Sequence, residues 1–518
     1  MTEIDAYDVI VVGAGPTGAV LAALLGQHEH RVLVIERDAD VYPLPRAVHM
    51  DHEIMRVLQE IQLLDAAELC SGAVDDYLFQ NAAGELLLEI RGGGRLATSG
   101  FSSSVMFVQP ELESAMRQGL EGLPSVTTRF GATLTDLRWQ ISDPAGGVEA
   151  DFEQDGARRS ARARYLVGCD GASSWVRRRL QTPMEDLGFD EPWIVVDTRV
   201  TGELDLPENT AFQFCNPERP TTCIPAGPGR RRWEFMMRPG ETREAMQEPE
   251  NIWPLLAPWG GPEKLEIVRI AVYRFHAVIA ERWQSGPVLL AGDAAHQTPP
   301  FMGQGLCSGV RDAANLAWKL DRVLRGLSSR GLLRSYEAER APHVRHVVET
   351  SVAMGRIVCE LDPEKAAKRD ASLTAARASG QRGPGQNIGG QVAPLTAGLT
   401  RADDPAAGWL FPQPFVRRGD RTGRMDELTG CGFRLFVDNP QLLPDAARLH
   451  AAGILPVVLN AEGEHAVTEI APPSATAWLA ERGVHAALVR PDHYVFGGAR
   501  DARETAVLVD AATSMLRG

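Results

Sequence analysis

The feature that most constrains this chain is a glycine-rich turn between an apolar strand and a helix near the amino terminus. Residues 9–12 (VIVV) predict a buried strand, and residues 13–18 read GAGPTG. Residues 32–35 (VLVI) predict a second strand, which ends at Glu36. A GxGxxG motif in this strand–helix–strand context is typical of dinucleotide-binding folds.

Each conspicuous residue of this unit has a physical role. Gly13 permits the tight turn, Gly15 lets the backbone approach a pyrophosphate, and Gly18 lets the helix pack closely on the strand. The helix amino terminus offers free N–H groups and a partial positive charge to phosphates. Glu36 can accept hydrogen bonds from ribose hydroxyls. The sequence therefore predicts a bound dinucleotide at this turn.

The same stretch has an alternative interpretation as a signal or membrane segment, because residues 9–26 are almost uncharged. Pro16 and the glycines interrupt it, and the residues before it are acidic (Glu3, Asp5 and Asp8), where a signal peptide needs positive charge. We therefore expect no membrane segment and a cytoplasmic protein.

Composition narrows the function further. A chain of 518 residues suggests roughly two to four domains. Its net charge of −15 disfavours binding to nucleic acid or to anionic membranes. The seven cysteines form no CxxC pair and no zinc-type cluster with histidine. This spacing fits a reducing compartment and disfavours a dithiol reductase or a structural metal site.

A second turn of the same kind follows the buried-strand run 287–291. It begins with Gly292-Asp293, continues through Pro299-Pro300 and ends at Gly303-Gln304-Gly305, which opens a long helix to about residue 324. An acid, a proline clamp and a glycine pair before a helix predict a second turn that faces the cofactor.

Other stretches are less decisive. Residues 181–276 alternate as strands do, and their aromatic side chains are expected mostly in a sheet core. Arg46 is equally compatible with a cofactor contact and with a solvated loop. Residues 362–407 show no clear period, and 383–387 (GPGQN) predict a loop at a domain boundary. Beyond it, alternating strands and helices predict a small α/β domain.

Together these stretches resemble a known family. The glycine turn with Glu36 is followed by GCDGASSWVR (168–177) and by GDAAHQTPPFMGQGLCSGVRDAANLAWKL (292–320). In this order they resemble the single-component FAD-dependent aromatic hydroxylases of the p-hydroxybenzoate hydroxylase fold family. With PRAVHMDHE (45–53), the chain looks closest to 3-(3-hydroxyphenyl)propionate hydroxylases and polyketide-ring hydroxylases.

The resemblance implies an α/β fold in which a Rossmann-like FAD-binding domain is interleaved with a β-sheet substrate domain. The FAD-binding parts would be residues 1–73, 101–180 and 277–395. The substrate domain would take residues 74–100 and 181–276. Residues 396–518 would form a thioredoxin-like domain, in which the lone Cys431 excludes dithiol exchange.

The resemblance also implies roles for individual positions. The residues expected to contact FAD are Gly13, Gly15, Pro16, Thr17, Gly18, Glu36, Arg37, Arg46, Gln109, Leu134, Asp170, Arg177, Asp293, Gly305, Leu306 and Asn315. The loop expected to face the flavin ring contains Pro299, Pro300, Gly303, Gln304 and Gly305. A group must also address the substrate hydroxyl. His49, Gln213, Tyr273 and His276 are candidates, and the sequence does not choose among them.

The implied activity uses NADH or NADPH to reduce FAD, forms a flavin C4a-hydroperoxide with O2, and hydroxylates a phenolic or polycyclic aromatic ring. A flavin oxidase, or a reductase of a quinone or alkene, would share the fold without inserting oxygen. A non-catalytic FAD-binding protein is the other alternative. The sequence leaves open the choice of NADH or NADPH, the substrate, and the oligomeric state, although the carboxyl-terminal domain suits a homodimer contact or a lid.

Overall fold

The computed structural model describes residues 5–140, 147–380 and 393–517, so the predicted loop at 383–387 lies outside the described residues. In chain order the strands are β1 (Asp5–Val12), β2 (Val32–Glu36), β3 (His49–Asp51), β4 (Ser71–Ala73), β5 (Asp76–Gln80), β6 (Leu86–Arg91), β7 (Ser104–Phe107), β8 (Val126–Phe130), β9 (Ala132–Trp139), β10 (Val148–Gln154), β11 (Ala157–Gly168), β12 (Met184–Val200), β13 (Thr210–Phe214), β14 (Thr221–Pro225), β15 (Arg230–Met236), β16 (Leu265–Ala280), β17 (Gln284–Ser285), β18 (Val288–Leu290), β19 (His296–Gln297), β20 (Phe415–Arg418), β21 (Arg421–Arg424), β22 (Phe433–Val437), β23 (Ile454–Leu459), β24 (Ala466–Ala471), β25 (Ala486–Val489) and β26 (Val495–Ala499). The helices are α1 (Pro16–Gln27), α2 (His52–Glu60), α3 (Leu64–Leu69), α4 (Gln109–Glu121), α5 (Trp175–Arg179), α6 (Pro249–Leu256), α7 (Gly305–Leu324), α8 (Arg334–Val358), α9 (Pro363–Ala378), α10 (Met425–Thr429), α11 (Ala446–Ala452), α12 (Ala475–Glu481) and α13 (Ala502–Arg517). Among the helices of these described ranges, none combines the length and apolar character needed to cross a bilayer.

The first sheet contains the glycine turn. Strand β1 lies between β2 and β11 and runs parallel to both, and β8 and β18 extend the sheet on either side. Val9, Ile10 and Val11 have no exposed surface, as expected for a parallel strand covered on both faces. Helix α1 packs against α7. The two predicted turns therefore belong to neighbouring helices of a Rossmann-like α/β fold.

The second sheet has the order β19-β16-β12-β15-β14-β13-β5-β6. Two separate parts of the chain build it, because β5 pairs in parallel with β13. Trp233 and Phe235 pack with Ile252 of α6 in a hydrophobic cluster on one side, as expected for core aromatics. The boundary expected at residue 276 falls inside β16, which continues to Ala280.

The carboxyl-terminal region forms a third sheet, with the order β21-β20-β24-β23-β22-β25-β26. Strands β22, β23 and β24 are parallel, while β25 and β26 are antiparallel to their neighbours. Helices α11, α12 and α13 alternate with these strands. The predicted small α/β domain is therefore present, and its thioredoxin-like character stays a prediction.

The prediction of an irregular stretch from residue 362 was wrong for its first part. Residues 363–378 form helix α9, and the Asp362 side chain caps it by accepting from the N–H groups of Glu364 and Lys365. Of its side chains only Ala366 is buried. A helix with so little buried surface has no apolar stripe, so its sequence carries no helical period.

Candidate cofactor and substrate site

A cavity of about 850 Å³ connects the glycine turn of the first sheet with one face of the second sheet. At one end it is lined by Gly13, Gly15 and Glu36, and at the other by Tyr273 and Phe275. The predicted dinucleotide position and the predicted substrate region therefore share one continuous space.

The glycines of the first turn have different roles. Gly13 has a φ of +100°, and a Cβ there would lie 2.4 Å from the carbonyl oxygen of Cys169. A Cβ on Gly18 would lie 2.0 Å from the Gly13 carbonyl oxygen, so these two positions need glycine for the backbone itself. A Cβ on Gly15 would meet nothing within 4 Å. Gly15 therefore borders open space, as an approaching pyrophosphate requires.

Helix α1 begins at this open space without a side-chain cap, so its first N–H groups are available to a ligand. Pro16 and Thr17 line the cavity at the helix start, and Arg37 lines it beyond Glu36. Glu36 is held in place because its carboxylate accepts from the backbone N–H of Ala14 at 2.7 Å.

Gln109 fixes the loop that carries Arg46. Its side-chain oxygen accepts from the backbone N–H groups of Arg46 at 2.8 Å and Ala47 at 2.6 Å. Arg232 of β15 donates to the Arg46 carbonyl at 2.8 Å. Arg46, Gln109 and Leu134 all line the cavity. The Arg46 side chain is also 53% exposed, so its contact with the cofactor stays a prediction.

The Asp-Gly stretch contributes one residue to the cavity wall and stabilises the turns next to it. Asp170 lines the cavity, and its carboxylate accepts from the backbone N–H of Trp175 at 2.7 Å, at the start of α5. Arg177 donates to the carbonyls of Ala172 at 2.6 Å and Ala294 at 2.9 Å. It ties two turns together and does not itself line the cavity, whereas its neighbour Arg178 does.

Asp293 faces into the cavity and is accessible from it. Its side chain is exposed to the open cavity, and desolvation by the neighbouring protein raises its pKa above the ordinary value. Among the described residues, no side chain or backbone group donates a hydrogen bond to it. An acid in this state is suited to accept a hydrogen bond from a ligand hydroxyl.

The second turn faces the same space. Pro300 to Met302 form a single 3-10 turn, Gly303 has a φ of +62°, and α7 begins at Gly305 without a side-chain cap. Pro300, Gly303, Gln304, Gly305 and Leu306 line the cavity, with Pro299 buried behind them. The positive end of the α7 dipole is therefore directed at the cavity.

Asn315 does not reach this site, which corrects the expectation that it faces the flavin. Its amide donates to Glu339 at 2.7 Å and to Asp492 at 3.0 Å, and its oxygen accepts from Lys319 at 2.7 Å. It lies nearly three turns into α7 and is 2% exposed. Its role here is to hold a buried network against the carboxyl-terminal domain.

The far end of the cavity is walled by aromatic rings. Phe301, which follows the proline pair, packs edge-on against Trp193 at 5.7 Å and Phe275 at 6.3 Å between ring centroids. Tyr273 and His276 line the same end, and His276 is half-exposed beside Asp190.

Two of the predicted candidates for addressing the substrate are already engaged. His49 contacts the Gly303 carbonyl through Nδ1 and the Ser104 hydroxyl through Nε2, each at 3.1 Å, and burial lowers its pKa. Gln213 is fully buried, and its side-chain oxygen accepts from both Tyr77 and Thr222. Neither side chain offers a free accepting atom.

Sequence reasoning missed Tyr77 and Glu234, which also line the cavity. Glu234 is buried, and the loss of water raises its pKa to about 6. The strand pattern could have revealed it, because Glu234 alternates with the core residues Trp233 and Phe235 and therefore lies on the opposite face.

Within the described residues, Glu60, Cys431 and His493 form a group close enough to consider for a metal ion. Arg434 approaches Nδ1 of His493 at 3.1 Å. Because arginine can only donate, Nδ1 is the accepting nitrogen and Nε2 carries the proton. Nε2 is the nitrogen that faces Glu60, so this tautomer has no lone pair for a metal there.

The residues present fit FAD. The space beside Gly15 and Gly305 is open, and a side chain at either position would extend into it. The Asp293 carboxylate can still accept a hydrogen bond. An uncapped helix end lies at each turn, one suited to the pyrophosphate and one to the flavin ring. Fold and site together define an FAD-binding protein.

The chain belongs to the FAD-binding-domain family, whose model matches residues 6–351. Residues 408–514 match the HcaD C-terminal domain. A probable NADH-specific resorcinol 4-hydroxylase of Rhodococcus jostii is 39% identical, over 97% of this chain and 94% of that relative. A 3-(3-hydroxy-phenyl)propionate/3-hydroxycinnamic acid hydroxylase of Paraburkholderia xenovorans is 38% identical, over 68% of this chain and 56% of that relative.

Among solved structures, the flavin-dependent monooxygenase PieE in complex with FAD and substrate has a TM-score of 0.82. The match covers 99% of each chain at 21% identity. At that identity the likeness concerns the fold alone, and it extends through the carboxyl-terminal domain as well as the FAD-binding part.

Proposed function

We propose that this protein hydroxylates a small neutral phenol of the resorcinol type, with NADH as electron donor. The observation that carries the proposal concerns the part of the cavity next to Phe301, which we call the chamber. The arginines of the second sheet that line it, Arg232 and Arg274, are each 2.7 Å from an aspartate, Asp197 and Asp190 respectively. Within the described residues, each arginine of this sheet that lines the cavity therefore already has a carboxylate partner. The resorcinol hydroxylase relative, which matches along almost the whole chain, supports the same choice.

FAD and the residues around it would have different roles in the reaction. Bound FAD would supply the redox chemistry that carries electrons from NADH to dioxygen. The N–H groups at the start of α7 would stabilise negative charge on the nearby flavin edge without rearranging. Pro300 and Phe301 present an apolar wall, which Trp193 and Phe275 support. A wall of this kind excludes water from the reacting atoms.

The test is anaerobic reduction of the FAD-loaded protein by NADH and by NADPH, with resorcinol, with 3-(3-hydroxyphenyl)propionate, and with neither. We expect resorcinol to accelerate reduction by NADH, and we expect one atom of ¹⁸O2 to appear in the hydroxylated product. Hydrogen peroxide as the sole product would favour an oxidase. Reduction that no aromatic compound accelerates would favour a non-catalytic FAD-binding protein.

The proposal includes a cytoplasmic location, which the seven free cysteines support. It also includes a homodimer formed through the carboxyl-terminal domain. Light scattering at micromolar concentration tests this assembly, and a mass of one chain would contradict it.

A further inference from the structure

Glu234 lies on the face of the second sheet that lines the cavity. On β15 it pairs with Val195 of β12 on one side and with Thr222 of β14 on the other. All three residues line the cavity, so this row of the sheet is directed at the chamber. The Glu234 side chain is only 9% exposed.

The Glu234 carboxylate has no hydrogen-bond donor among the described residues. Its nearest cation is Arg232, with 3.8 Å between the closest nitrogen and oxygen. That guanidinium already donates to Asp197 at 2.7 Å and to the carbonyls of Pro45 and Arg46. Arg232 is therefore oriented by other partners, and Glu234 keeps its capacity to accept.

Glu234 also lies close to the wall that the flavin-facing loop builds. Two residues further along β15, Met236 pairs with Trp193, whose ring contacts Phe301. Side chains two residues apart on a strand share a face and are about 7 Å apart. A single aromatic ring between the loop and the sheet can therefore contact Glu234 with a hydroxyl substituent.

We propose, on the basis of the proposed function, that Glu234 accepts the proton of the substrate's phenolic hydroxyl. The O–H bond of the phenol breaks, its electron pair stays on the phenolate oxygen, and a new O–H bond forms on the carboxylate. After an oxygen atom from O2 is added, the C–H bond at that ring carbon breaks, its electron pair returns to the aromatic ring, and the proton passes through the cavity to bulk solvent. Glu234 then returns its own proton to the phenolic oxygen as the ring regains aromaticity, so the carboxylate is restored.

The surroundings match this role. Burial raises the pKa of Glu234 to about 6, opposed by Arg232 and assisted by the negative charge of Asp197. The Tyr77 phenol, on β5, is held neutral by burial and by Glu234 itself. The chamber therefore contains a carboxylate that is ionised above about pH 6 and protonated below it, as a general base working near neutrality requires.

The experiment measures resorcinol binding to the FAD-loaded protein, by the change in flavin absorbance, between pH 5 and pH 8. In the wild type we expect affinity to fall about tenfold from pH 7 to pH 5, because the carboxylate that receives the hydroxyl becomes protonated. Glu234→Gln should bind with an affinity independent of pH, and Glu234→Asp should restore the dependence. Glu191→Gln is the matched control: this acid of β12 also has a pKa raised by burial, but it borders a separate surface pocket.

Turnover at pH 8 provides the second readout. At saturating resorcinol, Glu234→Gln should form hydroxylated product at least about 100-fold more slowly than the wild type, with hydrogen peroxide in its place. Wild-type affinity independent of pH, or a Glu234→Gln variant with wild-type product formation, would overturn the role of Glu234. A wild type that binds resorcinol with the expected pH dependence yet forms no product would overturn the proposed function alone. No binding of resorcinol at any pH would overturn both.

Discussion

Two regions of this molecule differ in how their charged groups are paired. In the cavity, Asp293 and Glu234 have no hydrogen-bond donor from the described residues. At the contact of α7 and α8 with the carboxyl-terminal domain, every charge of a buried network is paired. There the Glu339 carboxylate forms ion pairs with Lys319 at 2.7 Å and with Arg490 at 2.7 Å, and all three side chains are 0% exposed.

The difference separates groups that bind ligands from groups that hold the fold. A buried charge is costly unless it is paired, so a network that is complete within the protein needs nothing further. An acid that is enclosed but unpaired remains available to a ligand, at the expense of stability. Hydrogen-bond completion, rather than burial or membership of a motif, distinguishes the two regions.

The largest expected effect comes from breaking the paired region. Arg490→Met would leave Glu339 and Asp492 buried without their shared cation, and should lower the free energy of unfolding by roughly 3–5 kcal/mol. Urea denaturation of the FAD-free protein measures it. Arg500→Met is the control, because its pair with Glu504 is 71% and 31% exposed and contributes less than about 1 kcal/mol. Equal losses in the two variants would remove the basis of the comparison.

Within the glycine turn, the same comparison can be made between neighbours. Gly18→Ala should lower the free energy of unfolding by roughly 1–3 kcal/mol, because the new methyl group meets the Gly13 carbonyl. Gly15→Ala should leave it within about 0.5 kcal/mol and weaken FAD binding about tenfold or more, since its methyl group enters the space for the pyrophosphate. Isothermal titration with FAD measures the second effect. A stable Gly18→Ala variant that loses FAD would contradict this assignment.

The sequence could predict the glycine turn and the loop from Pro299 to Gly305, because each is a local backbone feature marked by glycine and proline residues close together in the chain. It could not separate Asn315 from Asp293, since both belong to one recognisable stretch. Only the contacts of Asn315 with Glu339, Lys319 and Asp492 in the folded chain show that it is structural. Glu234 was missed for the converse reason. No motif marks it, and its environment is created by strands distant in sequence.

A smaller effect is expected for Asn315 itself. Asn315→Ala should lower the free energy of unfolding by about 1–2 kcal/mol, because Lys319 and Glu339 each lose a hydrogen-bond partner. The flavin absorbance spectrum and the rate of reduction by NADH should not change. Asp293→Ala is the matched variant from the same stretch, and should weaken FAD binding without loss of stability. A spectrum altered by Asn315→Ala would return that residue to the cofactor site.

The smallest effect is on the pH dependence of stability, to which the two buried acids Glu339 and Glu234 contribute with opposite sign. Burial alone would raise the pKa of Glu339, but Arg490 and Lys319 outweigh it and lower the pKa from 4.5 to about 2. The unfolded chain therefore takes up the proton first, and the stability that Glu339 contributes is lost as pH falls below about 4.5. For Glu234 the pKa is raised to about 6, so the folded chain takes up the proton first, and stability is lost as pH rises towards 6.

Between pH 4 and pH 5 the linkage relation gives about +0.7 kcal/mol for Glu339 and about −0.6 kcal/mol for Glu234. Other carboxyl groups titrate in this range as well, but they cancel when each variant is compared with the wild type. Urea denaturation of FAD-free Glu339→Gln should therefore show a shallower rise in stability with pH than the wild type, and Glu234→Gln a steeper one. If both variants changed the slope in the same direction relative to the wild type, Glu234 would be paired within the protein as Glu339 is. The distinction between ligand-facing and structural acids would then fail.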